Sequence, residues 1–219
     1  MRAEKSINIF HDYSIVQGSK IALPKQVEYY LYVKRALDFI LATIGILVSM
    51  PIIVVFAALI RIETPGSPFY IQQRVGKGGQ YFHLIKLRSM RIDAEKDGAK
   101  WAETNDPRVT KVGAFIRKTR IDELPQLLSV LRGEMSIIGP RPERPCFTAK
   151  FDREIAGFSN RLIVKPGLTG LAQVNGGYDI TPKEKLTYDL EYIKTLTFKL
   201  ELKILLKTVK VILTGEGAR

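Results

Sequence analysis

The stretch Phe39–Ile60, FILATIGILVSMPIIVVFAALI, decides the fold class of this chain of 219 residues. It holds 22 residues without a single charged side chain. About 20 apolar residues are enough to cross the hydrocarbon core of a bilayer. Soluble core helices seldom stay uncharged over such a length, so a membrane segment is the favoured interpretation. A fully buried core helix is the alternative.

Two features of this apolar run argue against a straight span. Pro51 lies near its middle, where proline removes a backbone hydrogen bond, and Ser49 is placed to bond a freed carbonyl. Basic residues flank both ends, with Lys34 and Arg35 before the run and Arg61 after it. Positive charge tends to stay cytoplasmic, so a helix that bends at Pro51 and returns to the same face fits both features. An ordinary kinked span fits only the proline, and the residues alone leave the two topologies open.

The charge of the chain points to a polyanionic partner. The formal net charge is +12 and the sequence pI is about 9.7, which suits nucleic acid, an anionic membrane surface or phosphorylated substrates. The sequence has no helix-turn-helix, zinc-ligand or RNP-like signature, and nucleic-acid binding leaves the apolar run unexplained. We therefore expect no nucleic-acid partner. Cys146 is the only cysteine, which excludes an intrachain disulfide and fits a reducing compartment.

Local patterns predict a hairpin and several helices after the apolar run. The segments SPFYIQQ and QYFHLIKL read as two strands, and the intervening RVGKGG fits a turn better than a phosphate-binding loop. Gly133 is suited to end a helix. Thr181 and Glu184 form a capping box around a proline at the first helical position. Helices are predicted over 111–119, 123–132 and 182–195.

A further helix is predicted over 198–213, FKLELKILLKTVKVIL, and it is basic and amphipathic. Its lysines share one stripe, and its apolar side chains lie largely opposite. The lysines are Lys199, Lys203, Lys207 and Lys210, and the apolar residues are Phe198, Leu202, Leu205, Leu206, Val209 and Leu213. Such a helix suits the lipid–water interface, with lysines toward anionic headgroups. A surface helix packed on the core with a solvated lysine face is the alternative, and the neighbouring apolar run favours the interface.

The segment Lys118–Pro145, KTRIDELPQLLSVLRGEMSIIGPRPERP, sets Asp122 and Glu123 side by side at a predicted helix start. By spacing alone, a helix cap with acids beside the positive dipole end explains the pair. The arginines that crowd it are Arg117, Arg120, Arg132, Arg141 and Arg144. Helix N-termini and arginine forks both bind phosphate, and a carboxylate can attack phosphorus. Together with a membrane element, these residues fit transfer of a phosphorylated group to a lipid phosphate.

Over about residues 30–215 the sequence resembles the bacterial sugar transferases, the monotopic polyprenyl-phosphate phosphoglycosyltransferases. The resemblance rests on KRALDFILA, on Pro51 in the apolar run, on IKLRSM, on TRIDELPQLLSVLRGEMSIIGPRP and on KPGLTGLAQVNG, in this order. Some relatives carry Ser-Pro at the helix break, whereas Met50 precedes Pro51 here and the serine is Ser49.

The resemblance implies an α/β, mostly helical, monotopic protein with interfacial amphipathic helices. Its apolar run would be a re-entrant helix hairpin, broken at Pro51, on the cytoplasmic face of the bacterial inner membrane. We expect an N-terminal extension over 1–33, a re-entrant membrane helix over 34–62 and a catalytic domain over 63–219. Residues 34–219 would form one functional unit.

The resemblance also implies the chemistry. Asp122 would attack the β-phosphate of a UDP-sugar, expel UMP and carry the sugar phosphate to polyprenyl phosphate (undecaprenyl phosphate). Asp122 and Glu123 would hold Mg²⁺, and Glu123 would help to hold metal or acceptor phosphate. Candidate phosphate contacts, each with a plain surface charge as its alternative, are Lys86, Arg88, Arg117, Arg141 and Lys165. Expected partners include an anionic bilayer and a second copy of the chain. The rival function is a non-catalytic membrane adaptor with a basic binding surface.

Overall fold

The structure is a computed structural model that describes residues 25–96, Gly98, 106–176 and 180–214. Helices predominate in these ranges, and two small two-stranded sheets accompany them. The mostly helical α/β class with one long apolar helix is confirmed. The part of the predicted N-terminal extension that precedes Lys25 lies outside the described residues, as does part of the polar segment between 96 and 106.

Helix α1 runs from Lys25 to Glu63 as one element of 39 residues, with Pro51 inside it. The expected interruption of the helix at Pro51 is not observed, because the turns on both sides of the proline are helical and pack on the same domain. The Ser49 hydroxyl donates to the carbonyl of Ile46 at 3.4 Å. The helix also begins within the segment predicted as an extension, since Tyr30 already bonds Glu201 at 2.7 Å.

One face of α1 packs on the rest of the chain and the other faces outward. The packed residues recur every three or four positions and are Ala42, Ile46, Ser49, Ile53, Ala57 and Ile60. The outward face carries Phe39, Ile40, Leu47, Val48, Val54, Val55 and Leu59. By length and composition this helix could cross a membrane, and only 17% of its most apolar window is buried. That exposure excludes the alternative of a fully buried core helix.

The predicted hairpin is confirmed. Strands β1 (Phe69–Val75) and β2 (Tyr81–Leu87) pair antiparallel, in a register that sets Tyr70 opposite Lys86 and Val75 opposite Tyr81. The glycine cluster forms the turn between them, with φ of 66° at Gly78, a left-handed value that favours glycine.

Two further helices lead to and from the acid pair. Helix α2 (Lys111–Lys118) matches its prediction and is capped by the Thr110 side chain, which accepts from the N–H of Gly113. A 3₁₀ helix (Ile121–Gln126) follows, and α3 (Leu127–Arg132) ends at left-handed Gly133 as predicted. The first half of the helix predicted over 123–132 is thus 3₁₀ instead of α. Pro125 inside that first half cannot donate a backbone hydrogen bond.

A short parallel pair then holds the loops beside the acid pair. Strands β3 (Ser136–Ile138) and β4 (Gly167–Thr169) are in register at Ser136–Gly167 and Ile138–Thr169. A Cβ on Gly167 would lie 2.0 Å from the backbone nitrogen of Gly139, so these two backbone segments approach at a distance that only glycine allows. Helix α4 (Pro145–Glu154), a 3₁₀ helix (Phe158–Ile163) and α5 (Leu171–Gly176) complete this region.

The C-terminal part has two helices. Helix α6 (Pro182–Lys194) has the predicted capping box, with Thr181 and Glu184 bonding each other's backbone N–H. Helix α7 (Phe198–Thr214) buries Glu201 and Ile204. Its outward side exposes apolar residues beside the lysines, namely Phe198, Leu202, Leu206, Val209 and Ile212. Large apolar side chains therefore share the outward side of α7 with the lysines. A surface helix with only a solvated lysine face does not explain this arrangement.

Candidate active site

The acid pair lies in the first turn of the 3₁₀ helix, which begins directly after Arg120. Arg120 has φ of 60°, and it is the one non-glycine residue with positive φ among those described. Such a conformation costs on the order of 1 kcal/mol and tends to occur at functional sites. Ile121 and Leu124 pack on a core cluster that includes Ile60 of α1 and Leu87 of β2. Asp122 and Glu123 are buried, with 7% and 8% of their surfaces exposed.

Glu123 is surrounded by cations. Both terminal nitrogens of Arg141 donate to its carboxylate, one of them at 3.3 Å. The Lys86 Nζ lies 3.5 Å from Oε1, and the Arg120 guanidinium lies 3.9 Å from the same oxygen. Burial opposes ionisation, but the charges of Arg141 and Lys86 and the Arg141 hydrogen bonds outweigh it. The pKa of Glu123 is therefore held well below its usual range, and Glu123 is a permanent anion.

The pKa of Asp122 is shifted in the opposite direction. Burial, followed by the neighbouring charge of Glu123, raises its pKa to about 6, although Lys86, Arg141 and Arg117 act against the rise. Adjacent carboxylates whose environments separate their pKa values take different roles in catalysis. Glu123 is suited to hold cations in place. Asp122 is a carboxylate that is ionised at neutral pH yet remains more basic than an ordinary aspartate.

The backbone that carries Arg141 is anchored by buried charges. Arg161 donates to the carbonyl of Arg141 at 2.8 Å, and Arg74 donates to the carbonyl of Pro142 at 3.1 Å. Arg161 is itself paired with Asp189 at 2.7 Å, and only 2% of each side chain is exposed. This network fixes the GPRPERP segment where Arg141 meets Glu123.

Glu143 extends the same network. Its carboxylate accepts from Lys185 at 2.7 Å and lies 4.0 Å from Arg161. Sequence reasoning did not select Arg74, Glu143, Arg161, Lys185 or Asp189, because their partners are distant in the chain. The only local signal was the GPRPERP motif itself.

The structure brings three of the five predicted phosphate-contact residues together with the acid pair. Lys86 and Arg141 contact Glu123 directly. The positive charge of Arg117, at the end of α2, favours the ionised form of Asp122. Arg120 joins this group, although the sequence indicated it only as one of several nearby arginines. The roles of these residues toward substrate remain predictions.

Arg88 and Lys165 lie elsewhere. Arg88 is buried and donates to the carbonyls of Thr64 and Pro65 at 2.9 and 2.7 Å, so it ties the end of α1 to the hairpin. Lys165 lies beside Arg35 and Gly133. Among the described residues, no contact joins either side chain to Asp122 or Glu123.

The acid pair is the candidate metal position. Within the ranges that the structure describes, no group of three or more histidine, cysteine or acidic residues converges. Mg²⁺ needs no such group, since it is commonly held by one or two carboxylates together with substrate phosphates. The charge of buried Asp122 is poorly compensated, as its raised pKa indicates, so the donor chemistry of the pair fits Mg²⁺.

A buried acid pair ringed by cations is suited to phosphorylated groups, and the adjacent helix is long and apolar enough to enter a bilayer. Residues 29–215 match the model of the bacterial sugar transferase family. The chain belongs to that family.

Individual relatives agree with this assignment. A Bacillus subtilis (strain 168) protein provisionally named an undecaprenyl-phosphate N-acetylgalactosaminyl 1-phosphate transferase is 57% identical over 74% of this chain and 90% of its own length. A UDP-N-acetylgalactosamine-undecaprenyl-phosphate N-acetylgalactosaminephosphotransferase of Aeromonas hydrophila is 46% identical over 87% of this chain and 46% of its own. A UDP-glucose:undecaprenyl-phosphate glucose-1-phosphate transferase of Xanthomonas campestris pv. campestris is 38% identical, over 87% and 40%. The chain thus spans less than half of the last two relatives.

Proposed function

We propose that the chain transfers a sugar 1-phosphate from a UDP-sugar to undecaprenyl phosphate, releasing UMP, as the first membrane step in the synthesis of a bacterial surface glycan. The observation that carries this proposal is the buried Asp122–Glu123 pair with its split pKa values and cationic ring, inside the range that matches the family model. The names of the relatives support the donor and acceptor classes.

Asp122 is the proposed nucleophile. One of its carboxylate oxygens forms a bond to the β-phosphorus of the UDP-sugar, while the bond from that phosphorus to the bridging oxygen breaks and UMP leaves. The sugar phosphate then stays on Asp122 as an acyl phosphate. A phosphate oxygen of undecaprenyl phosphate attacks the same phosphorus and releases the carboxylate, which gives undecaprenyl diphosphate sugar. A pKa near 6 supports this role, because the carboxylate is ionised at neutral pH but retains basicity.

Glu123 is the proposed anchor for the cations that face the diphosphate. It binds Arg141 through both of its oxygens and attracts Lys86 and Arg120. Phosphoryl transfer depends mainly on positioning and on neutralising charge, and an arginine fork matches two phosphate oxygens. Glu123 thus keeps the guanidinium of Arg141 oriented before substrate arrives.

Mg²⁺ is the proposed cofactor, and Asp122 and Glu123 would hold it together with the diphosphate oxygens. When bound, it would supply charge neutralisation between an anionic nucleophile and an anionic substrate. Glu123 already binds protein cations, so Asp122 and the substrate would provide the larger share of its ligands.

A re-entrant position of α1 on the cytoplasmic leaflet, with a bend at Pro51 inside the otherwise continuous helix, is the proposed topology. Directly before the apolar run, Asp38 accepts from the N–H of Ile137 at 3.0 Å, and at the end of the helix Glu63 accepts from the N–H of Lys111 at 2.8 Å. The residues that flank the apolar run on both sides therefore contact the domain that carries the acid pair. A helix that crossed the bilayer would place its ends on opposite faces, and one domain could not reach both. The outward apolar faces of α1 and α7 would then lie in the same leaflet.

The test is UMP release from a panel of UDP-sugars with undecaprenyl phosphate and Mg²⁺ in nanodiscs. We expect release with one donor, loss on chelation and loss in Asp122→Asn. Without acceptor, the intact mass of the unmodified protein should increase by one sugar phosphate, and Asp122→Asn should show no increase. Asp93→Asn, which changes an exposed aspartate, is the matched control. Turnover by Asp122→Asn would exclude the aspartyl intermediate. Folded protein inactive with every donor would favour the adaptor function.

A further inference from the structure

A second cluster of cations lies at Gly133, apart from the acid pair. A Cβ on Gly133 would lie 3.3 Å from a terminal nitrogen of Arg35 and 3.4 Å from the Lys165 Nζ. The two side chains therefore converge on one small volume that the glycine leaves open. Lys77 lies in the hairpin turn, which packs against the 3₁₀ helix that ends at Ile163, two residues before Lys165, and its positive charge opposes protonation of Lys165.

The two converging cations differ in their partners. Arg35 donates to the carbonyls of Val130 and Leu131 at 2.6 and 2.8 Å, which caps the end of α3, and its guanidinium has donors beyond these two. In the part of the chain that the structure describes, no hydrogen bond or ion pair engages the Lys165 ammonium. The nearby carboxylate of Asp38 favours the protonated form of Lys165, but it already accepts a hydrogen bond from the N–H of Ile137.

Like charges held together are unfavourable, and the carboxylate of Asp38 offsets them only in part, since the net effect on Lys165 is a lowered pKa. Burial, the charge of Arg35 and that of Lys77 lower the pKa of Lys165. A bound anion would relieve this repulsion. Phosphate oxygens accept from both lysine and arginine, and the half-buried position gives such contacts more strength than they have in open water.

The cluster is separate from the acid pair along the hairpin. Lys86 contacts Glu123 near the far end of β2, whereas Lys77 lies beyond Val75 and Tyr81 at the turn. At about 3.4 Å per residue, the strand from Tyr81 to Lys86 spans roughly 17 Å. One phosphate therefore cannot contact both Lys77 and Lys86.

The position of the cluster indicates where the phosphate comes from. The Arg35 guanidinium lies over the ring of Phe39, 5.9 Å from its centroid. Phe39 is 51% exposed and begins the outward apolar face of α1. The cluster thus lies at the boundary between apolar and polar surface, which is the level of lipid headgroups. We propose that Arg35, Lys77 and Lys165 form a binding site for the phosphate of an anionic membrane lipid, apart from the acid pair.

The test uses the full chain in detergent, titrated with short-chain phosphatidylglycerol, with short-chain phosphatidylcholine or with inorganic phosphate. Thermal unfolding and native mass spectrometry report binding without turnover, so failure here is distinguishable from failure of the proposed transferase activity. We expect phosphatidylglycerol to raise the unfolding temperature and phosphatidylcholine to leave it unchanged. Lys165→Gln should weaken phosphatidylglycerol binding about tenfold, and Lys165→Arg should retain it.

Two controls remove one positive charge elsewhere. Lys150→Gln changes an exposed lysine of α4, and Lys194→Gln changes an exposed lysine at the end of α6. Both should bind phosphatidylglycerol as the unmodified chain does. Unchanged binding by Lys165→Gln, or equal losses in the controls, would overturn the site. Inorganic phosphate giving the same Lys165-dependent shift would overturn its lipid source. If Lys165→Gln does not fold, Lys77→Gln decides in its place, since it should also weaken binding.

Discussion

Replacing Asp122 by asparagine is expected to stabilise the folded chain while it abolishes transfer. In the folded state the pKa of Asp122 rises from its ordinary 3.8 to about 6, because the carboxyl is buried beside Glu123. A folded-state pKa above the unfolded value means that the folded chain binds the proton more tightly. The stability contributed by this group is therefore fully present below pH 4 and is lost as pH rises through about 6.

The magnitude follows from the pKa shift. At about 1.4 kcal/mol for each pKa unit, ionised Asp122 destabilises the fold by about 3 kcal/mol above pH 7. Asparagine has nearly the same shape and no charge to bury, so the variant should recover most of this free energy. For a chain of this size, the unfolding temperature should rise by roughly 6–12 °C.

The assay is thermal unfolding of both proteins in detergent without divalent cations, at several values between about pH 5 and pH 8. The gain from Asp122→Asn should be smallest at the acid end and grow as Asp122 ionises. Asp93→Asn changes an exposed aspartate whose pKa is lowered by hydrogen bonds from Arg91, so it should show no such gain. A variant less stable than the unmodified chain at pH 8, or a gain that does not depend on pH, would refute the reasoning.

Three further outcomes are expected. Arg141→Lys should lower UMP release on the order of a hundredfold, because lysine keeps the charge but not the two-pronged contact with Glu123, and near-normal release would contradict this role. Arg161→Met should cost about 3–5 kcal/mol in denaturant unfolding, because it removes the ion-pair partner of buried Asp189, and a neutral result would show that solvent reaches this carboxylate. Gly167→Ala should cost about 3 kcal/mol or more, since its Cβ would meet the backbone nitrogen of Gly139, and unchanged stability would mean that β3 and β4 can separate.

The elements that the sequence predicts well are those whose determinants are local. The helix after Thr181 begins at a capping box in which both partners lie within one turn. The hairpin has its turn glycines between two alternating strands. The acid pair with Lys86, Arg117 and Arg141 was selected from motifs, and the structure places these residues together.

The elements that the sequence does not predict depend on distant contacts. Arg120 follows the C-cap of α2 in the left-handed conformation that glycine usually adopts there, so its residue type gives no local signal of that conformation. The parallel β3–β4 pair is only three residues long on each side, too short for a periodic signal. Arg161 and Asp189 lie 28 residues apart in sequence and meet only in the fold.

Helix α1 also determines which fragments of this protein can be produced. It contributes side chains to three hydrophobic clusters, with Tyr30 in one, Ala42 in the next and Ile53 and Ile60 in the third. Deleting α1, so that the fragment begins after Glu63, would therefore expose the interior of the catalytic domain. A fragment prepared in this way to be soluble in water should aggregate. Polar substitutions confined to the outward face, for example at Val48 and Val55, leave all three clusters intact. Solubility would then be gained by redesigning one surface of the helix while the helix itself is retained.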